Sequence, residues 1–187
     1  MNHPFNALGL SHKFIEEHVK AGDLCIDGTA GRGRDTLFLA QLVGKTGKVI
    51  AFDIQKEAVL STEQTLADNN VTNAEVHHLC HSKMGKFAEK GSVSAIMFNF
   101  GWLPGGDHTV FSHPETSIPA IQAGLDLLKS GGIMTLCIYH GKETGYEEKE
   151  TLLPFLKTID PKQYSVLFTD FINRTGDVPI AVLIKKD

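Results

Sequence analysis

The chain has 187 residues, 42% of them hydrophobic and 21% charged, a balance that suits one globular domain and argues against disorder. The net charge of −4 excludes a surface that attracts nucleic acid nonspecifically, while leaving room for a local basic patch that reads a short stem-loop. No apolar run approaches the roughly 20 residues of a membrane helix, and residues 1–5 lack the basic-then-apolar layout of a secretory signal. The expectation is a cytoplasmic protein without a membrane partner.

Three cysteines, Cys25, Cys80 and Cys137, each lie in or beside an apolar stretch and form no C-x-x-C pair, so they read as reduced, mostly buried thiols. The nine histidines do not fall at zinc spacing: His77 and His78 are adjacent, and His108 and His113 flank a loop. No metal is expected.

In chain order, the pattern predicts a helix at Leu10–Lys20, a strand at Leu24–Asp27, a helix at Asp35–Val43 and a strand at Lys48–Asp53. It continues with a helix at Lys56–Asn69, a strand at Ala74–His78, a short helix at Ser82–Phe87 and a strand at Val93–Asn99. Then come a helix at Pro114–Leu128, a strand at Gly132–Tyr139 and a helix at Tyr146–Thr158. Strands at Ser165–Phe171 and Ile180–Lys185 close the chain, joined through Asn173-Arg174-Thr175-Gly176-Asp177 as a hairpin. Short β-branched runs alternating with longer helical ones are the pattern of βαβ units. The fold expected is a Rossmann-like α/β domain over residues 1–187, a mixed seven-stranded sheet with helices on both faces and a C-terminal antiparallel hairpin.

The segment Cys25-Ile26-Asp27-Gly28-Thr29-Ala30-Gly31-Arg32-Gly33-Arg34-Asp35-Thr36 runs from an apolar strand through a glycine-rich turn into a helix. Gly31 and Gly33 allow a tight turn and a close backbone approach to a ligand. A dinucleotide fingerprint needs a third glycine where Asp35 and Thr36 stand. Asp27 places negative charge beside the turn, which repels a pyrophosphate and attracts the ammonium of a methionine moiety, with a sulfonium nearby. Val49-Ile50-Ala51-Phe52-Asp53-Ile54-Gln55 is a second strand ending in an acid about 20 residues on, where a carboxylate takes ribose hydroxyls. Ile54 then faces adenine, and Gln55 lies near its edge. These residues favour S-adenosylmethionine over NAD as cofactor.

The runs Asp27-Gly-Thr-Ala-Gly31-Arg-Gly33-Arg-Asp35-Thr36, Ala51-Phe-Asp53-Ile-Gln55, Asn99-Phe-Gly101-Trp-Leu103-Pro-Gly105-Gly-Asp107 and Tyr139-His140-Gly141 resemble the family labelled putative rRNA methylase. The resemblance spans about Gly22 to Ile184. It implies a class I methyltransferase fold and S-adenosylmethionine as methyl donor, with S-adenosylhomocysteine as product. It further implies N-methylation of 5-aminomethyl-2-thiouridine at the tRNA wobble position. The chain departs from the family at Arg32 and Arg34, where the usual turn is closer to G-N-G-H-D. It departs again at Leu79-Cys80-His81-Ser82, which keeps His81 of D-S-H-E and loses the acid that suits an adenine amino group. Backbone groups near Cys80 and His81 are the expected substitute.

Ligands of doubly wound sheets bind outside the carboxyl ends of the strands. Asn99 ends the fourth strand and, with Gly101, joins the expected cofactor set of Asp27, Thr29, Gly31, Gly33, Asp35, Thr36, Asp53, Ile54, Gln55, Cys80 and His81. Asn99 is also a catalytic candidate, because an amide there can orient donor or acceptor. Aromatics after it offer a stacking face for a base, and Gly105-Gly106-Asp107 forms a loop able to close over substrate. The amine must lose a proton before attack, and Asp107 or His140 is the expected acceptor, with Tyr139 as a further candidate. The tRNA anticodon stem-loop is the expected partner, and a homodimer stays open. The alternatives are an rRNA base or a small-molecule amine as acceptor on the same fold, a non-catalytic S-adenosylmethionine-binding module, and a dehydrogenase.

Overall fold

The computed structural model describes residues 5–103, 105–106, 109–141 and 145–187. Its strands are β1 (Leu24–Asp27), β2 (Lys48–Asp53), β3 (Ala74–His78), β4 (Val93–Phe100), β5 (Leu128–Ile138), β6 (Tyr164–Phe168) and β7 (Ile180–Lys186). Its helices are α1 (Ala7–His18), α2 (Arg34–Val43), α3 (Lys56–Asp68), α4 (Pro114–Leu127) and α5 (Tyr146–Leu156), with a 3-10 helix at His81–Lys86. The sheet runs β3-β2-β1-β4-β5-β7-β6. β3 through β5 are parallel, and β7 enters antiparallel between β5 and β6. This is the mixed seven-stranded sheet and terminal antiparallel pair that the sequence predicts.

Period-two alternation explains the two layers. In β4, Ile96, Phe98 and Phe100 are buried on the face that packs against α4 and α5. Ala95 and Met97 are buried on the opposite face with Ile15 of α1 and Leu39 of α2. Removing such a side chain from water contributes roughly 1.5–3 kcal/mol each, so a strand buried on both faces reads as a continuous apolar run. No helix among the described residues is long and apolar enough to cross a membrane.

Several boundaries shift from the sequence expectation, β6 ending at Phe168 rather than Phe171 among them, and two of the shifts have a plain physical cause. α1 begins at Ala7 rather than Leu10 because the Asn6 side chain caps it, accepting from Gly9 N at 2.7 Å. β5 begins at Leu128 because Leu128 already pairs with Val93 before the chain turns through Lys129-Ser130-Gly131-Gly132, where Gly131 has φ +73°, and rejoins β4 at Ile133 opposite Ala95. An irregularity opposite Val93 and Ala95 absorbs the extra residues.

Candidate active site

A cavity of about 630 Å³ lies at the carboxyl ends of the central strands, lined by the residues that follow β1, β2, β4 and β5. Sheet order fixes its lateral layout: the tip of β2 at one side, then β1, β4 and β5. Three strand spacings separate the outer two, about 14 Å.

At the β2 side, Asp53 is held by two backbone donors. Gly31 N donates to Oδ2 and Gln55 N to Oδ1, each at 2.9 Å. Each oxygen keeps lone-pair capacity, and the carboxylate lines the cavity. Burial raises its pKa, with the Gln55 and Gly31 amides opposing that shift. Ile54, 51% exposed, presents an apolar face beside it. Gln55, Cys80 and His81 complete this end of the lining. His81 is pushed down to about 4 by burial, so it is a neutral imidazole near pH 7, with Nδ1 3.1 Å from Gly28 O.

The glycine turn is held by α3. Thr62 and Thr65 of α3 donate their hydroxyls to Gly31 O and Arg32 O at 3.2 and 2.9 Å. Gly33 has φ +78°, and a Cβ there would stand 2.9 Å from Thr62 Cα. Only glycine combines that backbone with so close a neighbour. Arg32 is paired with Glu57 at 2.7 Å, whereas Arg34 is exposed and lines the cavity.

Asp27 and Thr36 do not line the cavity. Asp27 is fully buried behind the turn, accepting from Thr29 N at 3.0 Å and from Thr36 Oγ1 at 2.6 Å. Burial, with the charge of Asp35 next, raises its pKa to about 7. The carboxylate that reaches the cavity from this side is Asp35. Its Oδ2 accepts from Asn99 Nδ2 at 2.6 Å, and its Oδ1 lies 2.7 Å from His12 Nε2. A carboxylate only accepts, so His12 Nε2 carries the hydrogen. The Asn99 backbone N donates to Thr29 Oγ1 at 2.7 Å. The sequence-predicted residues Thr29, Asp35 and Asn99 therefore form one bonded group across β1, α2 and β4.

The β5 side is apolar and aromatic. Trp102 and Phe111 pair in an isolated antiparallel bridge and line the cavity with Leu103, Val110, His113 and Tyr139. Gly101 also lines it. Burial raises the Tyr139 phenol to about 12, which keeps it a hydrogen-bond donor near pH 7. His140 does not line the cavity. Its side chain is 6% exposed, with Nδ1 3.8 Å from Asp177 Oδ1. Asp107 lies outside the described residues.

Sequence reasoning missed His12, Thr62, Thr65 and the 110–113 wall.

Comparison with known proteins agrees with this fold. The family model described as Putative rRNA methylase matches residues 49–185. The tRNA (mnm(5)s(2)U34)-methyltransferase, chloroplastic, of Arabidopsis thaliana is 36% identical over 97% of this chain and 70% of its own length. The crystal structure of a putative rRNA-methylase from Clostridium thermocellum superposes with a TM-score of 0.95 at 46% identity, covering 98% of both chains. A putative methyltransferase from Streptococcus mutans, solved in complex with SAH, superposes with a TM-score of 0.88 at 31% identity, covering 97% of this chain and 98% of that one. The chain belongs to the family described as Putative rRNA methylase, and it is a methyltransferase.

Proposed function

We propose that this enzyme uses S-adenosylmethionine to N-methylate the aminomethyl group of 5-aminomethyl-2-thiouridine at the tRNA wobble position. In this reading the whole chain is one catalytic domain acting in the cytoplasm on an anticodon stem-loop. One observation carries it: a single cavity joins a nucleoside-type end at Asp53 and Ile54 to an aromatic wall at Trp102, Phe111 and Tyr139, with Asn99 on the strand between. The name of the Arabidopsis relative supports the substrate, and the SAH in the Streptococcus mutans structure supports the cofactor.

The residues fit the cofactor. Asp53, fixed by two amides, offers its remaining lone pairs to two ribose hydroxyls. Ile54 offers a flat apolar contact to a purine. Asp35 brings negative charge to a site meant for a cationic ligand, and the absence of a third glycine disfavours a pyrophosphate. When bound, the cofactor supplies an electrophilic methyl: the C–S bond breaks as the N–C bond forms, and the amine gives up a proton.

The chain's own part is positioning, which dominates an in-line transfer between bound groups. The Asp35–Asn99 hydrogen bond holds the Asn99 amide in one orientation at the β4 tip. Trp102 and Phe111 give an unstacked base a π-face, worth roughly 1–3 kcal/mol per stacked base. Tyr139, held protonated, is a donor to the acceptor and not a base. Of the candidates for the proton we retain Asp107, and Asp107→Ala lowers turnover while leaving cofactor affinity intact.

Nucleoside mass spectrometry of tRNA from cells lacking the protein tests the reading. Accumulated 5-aminomethyl-2-thiouridine is the expected result. Unchanged tRNA would overturn it in favour of an rRNA acceptor, the alternative that the family description favours.

A further inference from the structure

We propose that Glu148 of α5 is a positioning residue for the acceptor half of the cavity; the inference rests on the functional reading above. Glu148 does not line the cavity and is 2% exposed. Its two oxygens are both engaged, Oε2 by the Ser112 hydroxyl and Oε1 by the Ser117 hydroxyl. Ser117 belongs to α4. Ser112 lines the cavity and donates its backbone N to Gly101 O at 3.1 Å. One residue earlier, Phe111 makes the bridge to Trp102. A single buried carboxylate thus ties two helices to the aromatic wall.

Packing alone does not explain an acid at this position. A buried carboxylate costs several kcal/mol in lost hydration, and an apolar residue of similar volume would fill the same space without that cost. Burial accordingly raises the Glu148 pKa, against the pull of both serine hydroxyls. What the acid does that an apolar residue cannot is accept from two directions at once. Among the described residues the wall has one isolated bridge, with no ladder to set its distance from β4 and β5. The Ser112–Glu148 bond supplies that constraint from behind, and it references the wall to α4, which packs on the sheet. A planar acceptor wedged beside Trp102 and Phe111 is held only as well as the wall is held. A displacement near 1 Å costs transfer on the order of a hundredfold. The cofactor end hangs on β2, α2 and α3 and shares none of these bonds.

The test compares Glu148→Ala, Glu148→Gln, Ser112→Ala and Ser117→Ala in the full chain. Three quantities are read: the dissociation constant for S-adenosylhomocysteine, KM and kcat for unmethylated tRNA, and acrylamide quenching of Trp102, the one tryptophan. Glu148→Ala is expected to lower kcat/KM for tRNA by roughly tenfold or more, with KM rising, and to increase Trp102 quenching, with cofactor affinity within about twofold of wild type. Glu148→Gln, which keeps an acceptor for one serine, recovers part of both. If Glu148→Ala does not fold, Ser112→Ala carries the test, since it cuts only the wall's tie. It should reproduce the rise in KM and quenching, and Ser117→Ala should show less of each. Equal loss of Tm in the two serine variants, with KM and quenching unmoved, would overturn the proposal and leave Glu148 a structural residue. Failure of the functional reading is seen separately, as a wild-type protein that leaves unmethylated tRNA unchanged; the quenching comparison needs no substrate.

Discussion

Asp35 and Asn99 meet across 2.6 Å, the carboxylate Oδ2 accepting from the amide Nδ2, although they lie 64 residues apart on α2 and β4. The contact ties the start of α2 to the β4 tip. His12, stacked on Phe38 with ring centroids 4.1 Å apart, holds the other oxygen of Asp35. His12→Phe keeps the stack and deletes the hydrogen bond. A hydrogen bond to a charged group contributes about 1.5–3 kcal/mol, so calorimetry should show S-adenosylhomocysteine binding weakened by roughly 10- to 100-fold. Unchanged affinity would detach His12 from the site.

Among the described residues, Asp53 is the one carboxylate at the β2 side of the cavity lining. Asp53→Ala is expected to lower affinity for S-adenosylhomocysteine and for 5′-methylthioadenosine by the same factor, at least about a hundredfold, because both ligands carry the ribose. A loss confined to S-adenosylhomocysteine would place Asp53 at the amino-acid end instead.

Asp27 and His81 make stability pH-dependent in opposite senses. The folded pKa of Asp27 is raised from 3.8 to about 7, so its contribution is present in acid and is lost as pH climbs from about 4 to 7. The folded pKa of His81 is lowered from 6.5 to about 4, so its contribution is present above 6.5 and lost as pH falls toward 4. Asp27→Asn removes the first term and keeps a partner for Thr36. Urea unfolding at pH 5 and pH 8 should show the variant gaining on wild type at the higher pH, by roughly 2–3 kcal/mol. A constant difference between the two would contradict a buried, titrating Asp27.

Gly33→Ala meets both a left-handed backbone and the α3 main chain. The strain and the forced contact together cost roughly 2–4 kcal/mol. Thermal unfolding should show the loss, and cofactor affinity should fall with it because Thr62 and Thr65 can no longer grip the turn. Retained stability would mean that α3 is free to move away.

Much of this was legible in the residues. β1 and β2 fall where their continuous apolar runs and polar ends place them, because strands buried on both faces read as unbroken apolar stretches. Asp53 was legible for the same reason. Asp27 was not. A strand-end acid was expected to meet the ligand, but alternation puts Asp27 on the same face as Cys25, under α2, so its side chain turns to Thr36. Asp35, expected with Asp27 in the cofactor set, is the one of the two whose carboxylate lines the cavity. His12 and Glu148 were illegible because their partners come from contacts 23 and 31 or more residues away, which no local pattern encodes.

The most direct measurement is methyl transfer in a purified system. Protein, S-adenosylmethionine and tRNA carrying 5-aminomethyl-2-thiouridine are incubated, and the nucleosides are resolved by mass spectrometry. The account predicts that this nucleoside converts to its 5-methylaminomethyl form and that Asp53→Ala abolishes the conversion. Wild-type protein that binds the cofactor yet leaves the aminomethyl group unmethylated would contradict it.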